Sequence, residues 1–211
     1  LLMAADFYIK KENLLIVDEK LKVMLAVERL GLSSCNRFDP SKRIIEYIIR
    51  GDPSKAEPLA SLSVRKFITA VGSRTPTPGG GSVAALVGSL GAALATMVGW
   101  LSYGRVKFEP IEPIMRAAIP KVHEVMMELI PLIDADSASY DAVMKASSMP
   151  KETPEQQVAR NAAIQAELKN AALIPMKTIR LASSCWETMI QLAQHGSTNA
   201  KSDLEVAARS L

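Results

Sequence analysis

Residues 75–100, TPTPGGGSVAALVGSLGAALATMVGW, decide the fold of this chain. Two prolines stiffen the approach to Gly79, Gly80 and Gly81, whose backbones take angles closed to other residues and let a ligand lie against bare peptide. We expect Ser82 to cap the helix that follows. The other first-turn amides, at the positive end of the helix dipole, would then suit a carboxylate, a phosphate or a polar ring edge. A ligand cradle and a plain helix-start loop both fit these residues.

The uncharged run after the glycines predicts a central helix at residues 82–104. Small residues recur in it every four positions, in two rows: Ala84, Gly88, Ala92 and Thr96, and Gly91, Ala95 and Gly99. Such rows let neighbouring helices approach closely, and a helix without charge on any side is expected inside a bundle. The fold class is therefore all-α, with antiparallel helices around a buried Gly/Ala-rich central helix.

Three other interpretations of this stretch are excluded. The spacing of Gly79, Gly81 and Ala84 matches a dinucleotide site, but the preceding segment has helical and not strand periodicity. No Gly-Lys-Ser/Thr follows, so the P-loop is excluded and no nucleotide cofactor is expected. Ala, Gly and Ser dominate where a membrane span would carry Leu, Ile and Phe, so no membrane span is expected.

Composition indicates a soluble helical protein with one sizeable core. The 211 residues are 48% hydrophobic, 22% charged and 5% aromatic. A net charge of +3, without a basic run interleaved with aromatics, does not indicate nucleic acid. Cys35 and Cys185 favour a reducing, cytoplasmic location over a disulfide framework. Neither they nor the two histidines have zinc-ligand spacing, so no metal is expected.

Breaks in the pattern divide the chain into a helical tail at residues 1–50, a linker at 51–59 and a main domain at 60–211. The linker opens with GDPSKAEP, which is typical of loops. The main domain shows no strand alternation. Its helices are expected at about 60–73, 82–104, 112–147, 154–184, 185–195 and 200–211. The first residue is not a methionine and the last lie inside an amphipathic pattern, so a fragment is expected at both ends.

An acid lies on the apolar seam of the predicted helix 112–147. The seam comprises Val122, Met126, Leu129, Ile133, Asp136, Tyr140 and Val143. Burial there would favour the protonated form of Asp136 and suit it to proton transfer near neutrality. Asp134 lies about 200° away around the helix, so the two acids should point apart and form no dyad. A core aspartate satisfied by Tyr140, a serine or a helix amide fits the same pattern.

The glycine stretch, extended to TPTPGGGSVAALVGSLGAALATMVGWLSYGR, and the later LIDADSASYDAVM, ARNAAIQ and AKSDLEVAA resemble one known domain. It is the cyclodeaminase domain of the formiminotransferase-cyclodeaminase family, which is also found as stand-alone bacterial methenyltetrahydrofolate cyclohydrolases. The resemblance covers residues 60–211. Residues 1–50 resemble the end of the formiminotransferase part, which favours the bifunctional enzyme over the stand-alone one. The family domain continues past SDLEVAARSL, so truncation at the C-terminus is expected.

The resemblance implies a lyase that closes 5-formiminotetrahydrofolate to 5,10-methenyltetrahydrofolate with release of ammonia, in histidine degradation and one-carbon metabolism. Polyglutamylated tetrahydrofolate would be the substrate carrier. The resemblance also implies a ring-like homo-oligomer built from dimers, with the formiminotransferase domain on the same full-length chain. The catalytic acid of the family motif corresponds to Asp136, which helix geometry singles out as well.

Further residues are expected to bind the folate. The backbone amides of Gly79, Gly80, Gly81 and Ser82 would meet its polar edges, and Arg105 or Lys107 its glutamate carboxylates. Other substrate-binding candidates, in family-like motifs, are Asp134, Arg160, Ser202 and Asp203; Ser202 or Asp203 could also cap the last helix. Two other functions stay open: a cyclohydrolase that acts on the methenyl compound, and a non-catalytic helical oligomerisation module.

Overall fold

The structure, a computed structural model, describes residues 1–14, 19–34, 36–45, 48 and 58–211. These residues contain helices and no strand, so the all-α prediction is confirmed. They divide into two compact units: residues 1–57 with 72–74, and residues 58–71 with 75–211. Cys35, the linker residues 51–57 and part of the segment after Arg43 lie outside the described residues.

The first unit has three described helices, α1 (Leu2–Glu12), α2 (Glu19–Arg29) and α3 (Pro40–Arg43). Lys22 pairs with Asp6 at 2.7 Å, and Arg29 pairs with Glu12 at 2.8 Å. Because the two ion pairs follow the same order along both helices, α1 and α2 lie side by side in the same direction. Both pairs are exposed, so each contributes little to stability.

The second unit contains the long helices. They are α4 (Val64–Val71), α5 (Gly80–Leu101), α6 (Glu112–Ser147), α7 (Pro154–Ser184), α8 (Trp186–His195) and α9 (Lys201–Ser210), with short 3-10 turns at Leu59–Ser61, Val106–Ile111 and Thr198–Ala200. The predicted bounds of α6 and α7 are confirmed. The helix predicted at 60–73 is instead a 3-10 turn followed by α4. The central helix begins two residues earlier than predicted, and the chain turns away after it at Gly104, whose φ is +68°.

The glycines of α5 let α6 approach closely along nearly the whole length of α5, from Gly81 to Gly99. Gly81 faces Asp136, Gly88 faces Leu129 and Gly99 faces Ile119. Residue numbers rise along α5 while those of the facing residues on α6 fall, so the two helices run antiparallel. The main core lies along this pair, with Met115, Val122 and Leu129 among its fully buried side chains. Asp136, a position on the apolar seam of α6, is thereby placed beside the start of α5.

Burial of α5 is one-sided. Gly88 and Gly99 face α6, Gly91 faces the end of α9, and Ala92 and Ala95 are buried with them. The opposite stripe exposes larger apolar residues: Val87, Leu90, Met97 and Leu101 are 39%, 54%, 37% and 37% exposed. By length and composition alone, α5 is the one described helix that could cross a membrane, and half of its most apolar window is buried inside the protein. One face of α5 is therefore packed in the core, and the opposite face, which the sequence pattern also predicted to be buried, is exposed.

Candidate functional site

The carboxylate of Asp136 lies against the first turn of α5. Its Oδ2 accepts a hydrogen bond from the backbone N–H of Ser82 at 2.9 Å, and the hydroxyl oxygen of Ser82 lies 3.2 Å from the same oxygen. A carboxylate here satisfies one of the first-turn amides, which have no partner within their own helix, and meets the positive end of the helix dipole. The acid of α6 therefore caps α5 from outside.

Ser82 does not cap α5, so that prediction is wrong. Gly79 occupies the N-cap position without a side-chain cap, and Ser82 is the third helical residue, with no exposed surface. Its hydroxyl donates to the carbonyl of Ile133 at 2.7 Å, the shortest of its contacts, and lies 3.0 Å from the hydroxyl of Ser137. Close packing of α5 on α6 turns this side chain into the contact between the helices, where α6 supplies its partners.

Asp136 is half-buried, so the expectation of full burial among apolar side chains is wrong. Tyr140, the next seam position, is 41% exposed. The seam leaves the core here because residue 136 lies against the first turn of α5, where that helix begins. A carboxylate in this place can accept the backbone amide of Ser82, which has no acceptor within its own helix.

The second carboxylate oxygen of Asp136 is differently placed. No described residue donates a hydrogen bond to Oδ1, which lies directly against the Cα of Gly81. The amides of Gly80 and Gly81 likewise donate to no described residue. The entrance of α5 thus holds the two carboxylate oxygens of Asp136, of which only Oδ2 has a donor, and the two amides of Gly80 and Gly81, which have no acceptor among the described residues. This group can bind a polar ligand and exchange a proton with it.

Asp134 binds a different part of the chain from Asp136. Its Oδ1 accepts from the amide of Leu59 at 2.5 Å and its Oδ2 from the amide of Ala60 at 3.1 Å. Each acid of the D-x-D motif therefore anchors the start of a different helical segment. The prediction that the two acids point apart and form no dyad is confirmed.

Sequence reasoning missed Ser137 and Asp141. Ser137 joins the hydroxyl pair with Ser82, and Asp141 accepts from the hydroxyl of Thr77 at 3.4 Å, which ties the proline-rich loop to α6. The two residues are four positions apart and so share one face of the helix. That spacing was the signal available in the sequence.

The other candidates lie elsewhere. Arg105 and Lys107 follow the far end of α5, whose 22 residues span about 33 Å. Arg160 donates two hydrogen bonds, at 3.1 and 2.9 Å, to the carbonyl of Ser147 at the end of α6. Ser202 and Asp203 lie in the first turn of α9, whose N-cap is Ala200 without a side-chain cap, so their predicted capping role is wrong. Within one chain, none of these residues is brought to Asp136 by the contacts described.

A groove of about 350 Å³ lies between α8 and α9, away from Asp136. Its walls are apolar and include Trp186, Met189 and Leu204, and Lys201 and Glu205 line it as well. No group of three or more His, Cys, Asp or Glu residues suited to a metal occurs in the part of the chain that the structure describes. An acid, two hydroxyls and the first amides of a helix come together at the entrance of α5.

Similarity to known proteins follows the same division of the chain. The family described as Formiminotransferase-cyclodeaminase matches residues 63–211, and the Formiminotransferase domain matches residues 1–50. Two curated relatives are named formimidoyltransferase-cyclodeaminase. The one from Dictyostelium discoideum is 50% identical and the one from Gallus gallus 45%, over all of this chain and 38% and 39% of theirs. The chain thus spans less than two-fifths of the length of these relatives.

A solved structure and a bacterial relative each match about seven-tenths of the chain. The formiminotetrahydrofolate cyclodeaminase of Thermotoga maritima shares 33% identity with a TM-score of 0.61, over 71% of each chain. A methenyltetrahydrofolate cyclohydrolase of Methylorubrum extorquens is 35% identical over 70% of this chain and 71% of its own. Fold and site together thus define an all-helical domain of the cyclodeaminase type. The chain belongs to the formiminotransferase-cyclodeaminase family.

Proposed function

We propose that residues 58–211 form a cyclodeaminase domain that converts 5-formiminotetrahydrofolate to 5,10-methenyltetrahydrofolate and ammonia. The observation that carries the proposal is the carboxylate of Asp136, held through one oxygen by Ser82 at the entrance of α5. The names of the curated relatives and of the Thermotoga maritima structure support the same reaction. Tetrahydrofolate is then the carrier of the reacting group.

The proposed reaction needs one group that moves a proton. N10 of the folate attacks the carbon of the protonated formimino group, and a tetrahedral intermediate forms that carries an amino group. Asp136 removes the proton from N10 and gives it to this amino group, which leaves as ammonia with the C–N bond electrons. The remaining cation is the methenyl product, so protons and charge balance. A single carboxylate that acts first as base and then as acid is sufficient.

The free amides of Gly80 and Gly81 are the groups that we propose to hold a polar edge of the folate. They point from the start of a helix, where backbone N–H groups and the dipole both favour a carbonyl or an anion. Holding N10 beside the formimino carbon would supply a large part of the rate enhancement, since a bound pair reacts as one molecule.

Replacement of Asp136 by Asn tests the proposal. Asn keeps an oxygen that can accept the amide of Ser82 but cannot take a proton, so turnover should fall by about 100- to 10,000-fold with the fold unchanged. Growth of the near-ultraviolet absorbance of methenyltetrahydrofolate measures turnover, and circular dichroism monitors the fold. Full turnover in Asp136→Asn would show that the acid-base assignment is wrong.

A cyclohydrolase is the second candidate, favoured by the 35% identity to the Methylorubrum extorquens protein of that name. The same absorbance separates the two functions. Growth from formiminotetrahydrofolate indicates the cyclodeaminase, and decay of the methenyl compound above its spontaneous rate indicates the cyclohydrolase. A chain that changes the absorbance in neither direction would instead be the non-catalytic module.

We further propose that the chain acts as a homo-oligomer. The exposed apolar stripe of α5, with Leu90 54% exposed at its centre, supports a partner surface there. The idea that Arg105 and Lys107 bind the glutamate tail depends on such a partner, because within one chain a helix of about 33 Å separates them from Asp136. Light scattering after gel filtration tests the oligomer. Arg105→Ala with Lys107→Ala should raise the KM for polyglutamylated substrate more than for monoglutamylated substrate.

Residues 1–50 match the formiminotransferase domain, which the curated relatives carry on the same chain. We propose that transfer of a formimino group to tetrahydrofolate, by that part of the whole protein, supplies the substrate of the second unit. A full-length chain should then form methenyltetrahydrofolate from a formimino donor and tetrahydrofolate, whereas residues 1–211 alone should require formiminotetrahydrofolate.

A further inference from the structure

No side chain fits at position 81 while Asp136 keeps its place. A Cβ built on Gly81 would overlap Oδ1 and Cγ of Asp136 and would lie 2.7 Å from Oδ2, whereas ordinary van der Waals contacts begin at 3.4 Å. Gly81 is the second residue of α5 and has helical backbone angles that any residue can adopt. The need for glycine here is therefore one of space beside a carboxylate and not of backbone conformation.

Two other glycines on the same face of α5 differ from Gly81 in a useful way. Gly88 lies about two turns further along, and a Cβ there would make an ordinary contact of 3.5 Å with Leu129. Gly99 lies about five turns further, and a Cβ there would come within 2.6 Å of Cγ1 of Ile119. The helix thus offers a position that tolerates a methyl group and one that does not, both away from the entrance.

The two carboxylate oxygens of Asp136 differ in their hydrogen-bond partners. Oδ2 is fixed by the backbone amide of Ser82 at 2.9 Å, so it has a donor in place before any substrate arrives. Oδ1 receives no donor from the described residues and rests on the bare Cα of Gly81. An oxygen that already accepts a hydrogen bond has a lone pair occupied, so it is less open to an incoming proton than an oxygen that accepts none.

We infer that Oδ1 is the oxygen of Asp136 that moves the proton, and that Gly81 is a positioning residue whose missing side chain keeps Oδ1 at the reacting atoms. The inference rests on the proposed function and names the atom through which it works. Any side chain at position 81 pushes the carboxylate off its place by about 1 Å or more, a misplacement of the size that costs up to about 100-fold in rate.

Three single variants test the inference: Gly81→Ala, with Gly88→Ala and Gly99→Ala as matched controls. Gly81→Ala should lower kcat by about 10- to 100-fold, with KM within about threefold, because substrate binding is kept and proton transfer is not. Gly88→Ala should keep both kcat and the melting temperature. Gly99→Ala should have a lower melting temperature and the same kcat, because the added methyl group clashes between α5 and α6 at a point far from Asp136.

A second set of variants shows whether Gly81 acts through Asp136. Gly81→Ala in an Asp136→Asn background should slow turnover no further, because the proton-moving oxygen is already gone. If Gly81→Ala does not fold, Gly81→Ala/Asp136→Ala should fold again, since the three atoms nearest to the added Cβ all belong to Asp136. Failure of that rescue would overturn the steric argument.

The remaining outcomes separate the inference from the function on which it rests. A Gly81→Ala variant with unchanged kcat, or with a raised KM alone, or with a loss that multiplies that of Asp136→Asn, would overturn the positioning role. Full turnover in Asp136→Asn would instead refute the acid-base assignment itself, whatever Gly81→Ala does.

Discussion

Replacement of Asp134 by Ala should cost stability and leave the chemistry intact. The side chain accepts the amides of Leu59 and Ala60 at 2.5 and 3.1 Å, which fastens the segment before α4 to α6. Hydrogen bonds to a charged acceptor contribute about 1.5–3 kcal/mol each, and partial exposure lowers this, so we expect a loss of about 2 kcal/mol in the free energy of unfolding. For a chain of this size that is about 4–8 °C in melting temperature.

The assay combines thermal denaturation with turnover of formiminotetrahydrofolate. Asp134→Asn keeps one acceptor oxygen and should lose about half as much stability. Glu124→Ala, which removes an exposed acid from the same helix, serves as the control and should stay within about 0.5 kcal/mol of the parent chain. The reasoning would be refuted if Asp134→Ala kept its melting temperature and lost kcat more than about tenfold, for Asp134 would then take part in the reaction.

Two further predictions concern residues away from the site. Arg160→Ala removes both hydrogen bonds to the carbonyl of Ser147, so the melting temperature should fall by about 2–4 °C with KM unchanged; a raised KM would make Arg160 a folate contact after all. Cys185 is 1% exposed, and burial raises its pKa from 9.0 to about 11. Its neutral thiol therefore stabilises the fold fully below pH 9, and this contribution is lost as pH rises towards 11. Stability should fall more steeply over that range in the parent chain than in Cys185→Ala, and equal slopes would contradict the assignment.

Much of the local structure could be predicted from residue patterns. The bounds of α6 and α7 are those of the apolar periodicity, and a capping box of Thr153 and Gln156 fixes the start of α7. Helix arithmetic also placed Asp134 and Asp136 on different sides of α6, because the angle per residue is a local property. The partners of the two acids could not be predicted this way, since residues 59–60 and 82 come from other parts of the chain.

The sequence by itself determined that residues 75–100 form a helix of small residues behind a glycine entrance, and that an acid lies on the seam of another helix. Spacing and composition are enough for that, because they act within one turn or two. Only the tertiary structure decided that α6 meets α5 antiparallel, that Asp136 caps α5 in place of Ser82, and that Gly81 leaves room for one carboxylate oxygen. These contacts depend on which ends of α5 and α6 lie together, and that is decided by the packing of two segments that are far apart in the sequence.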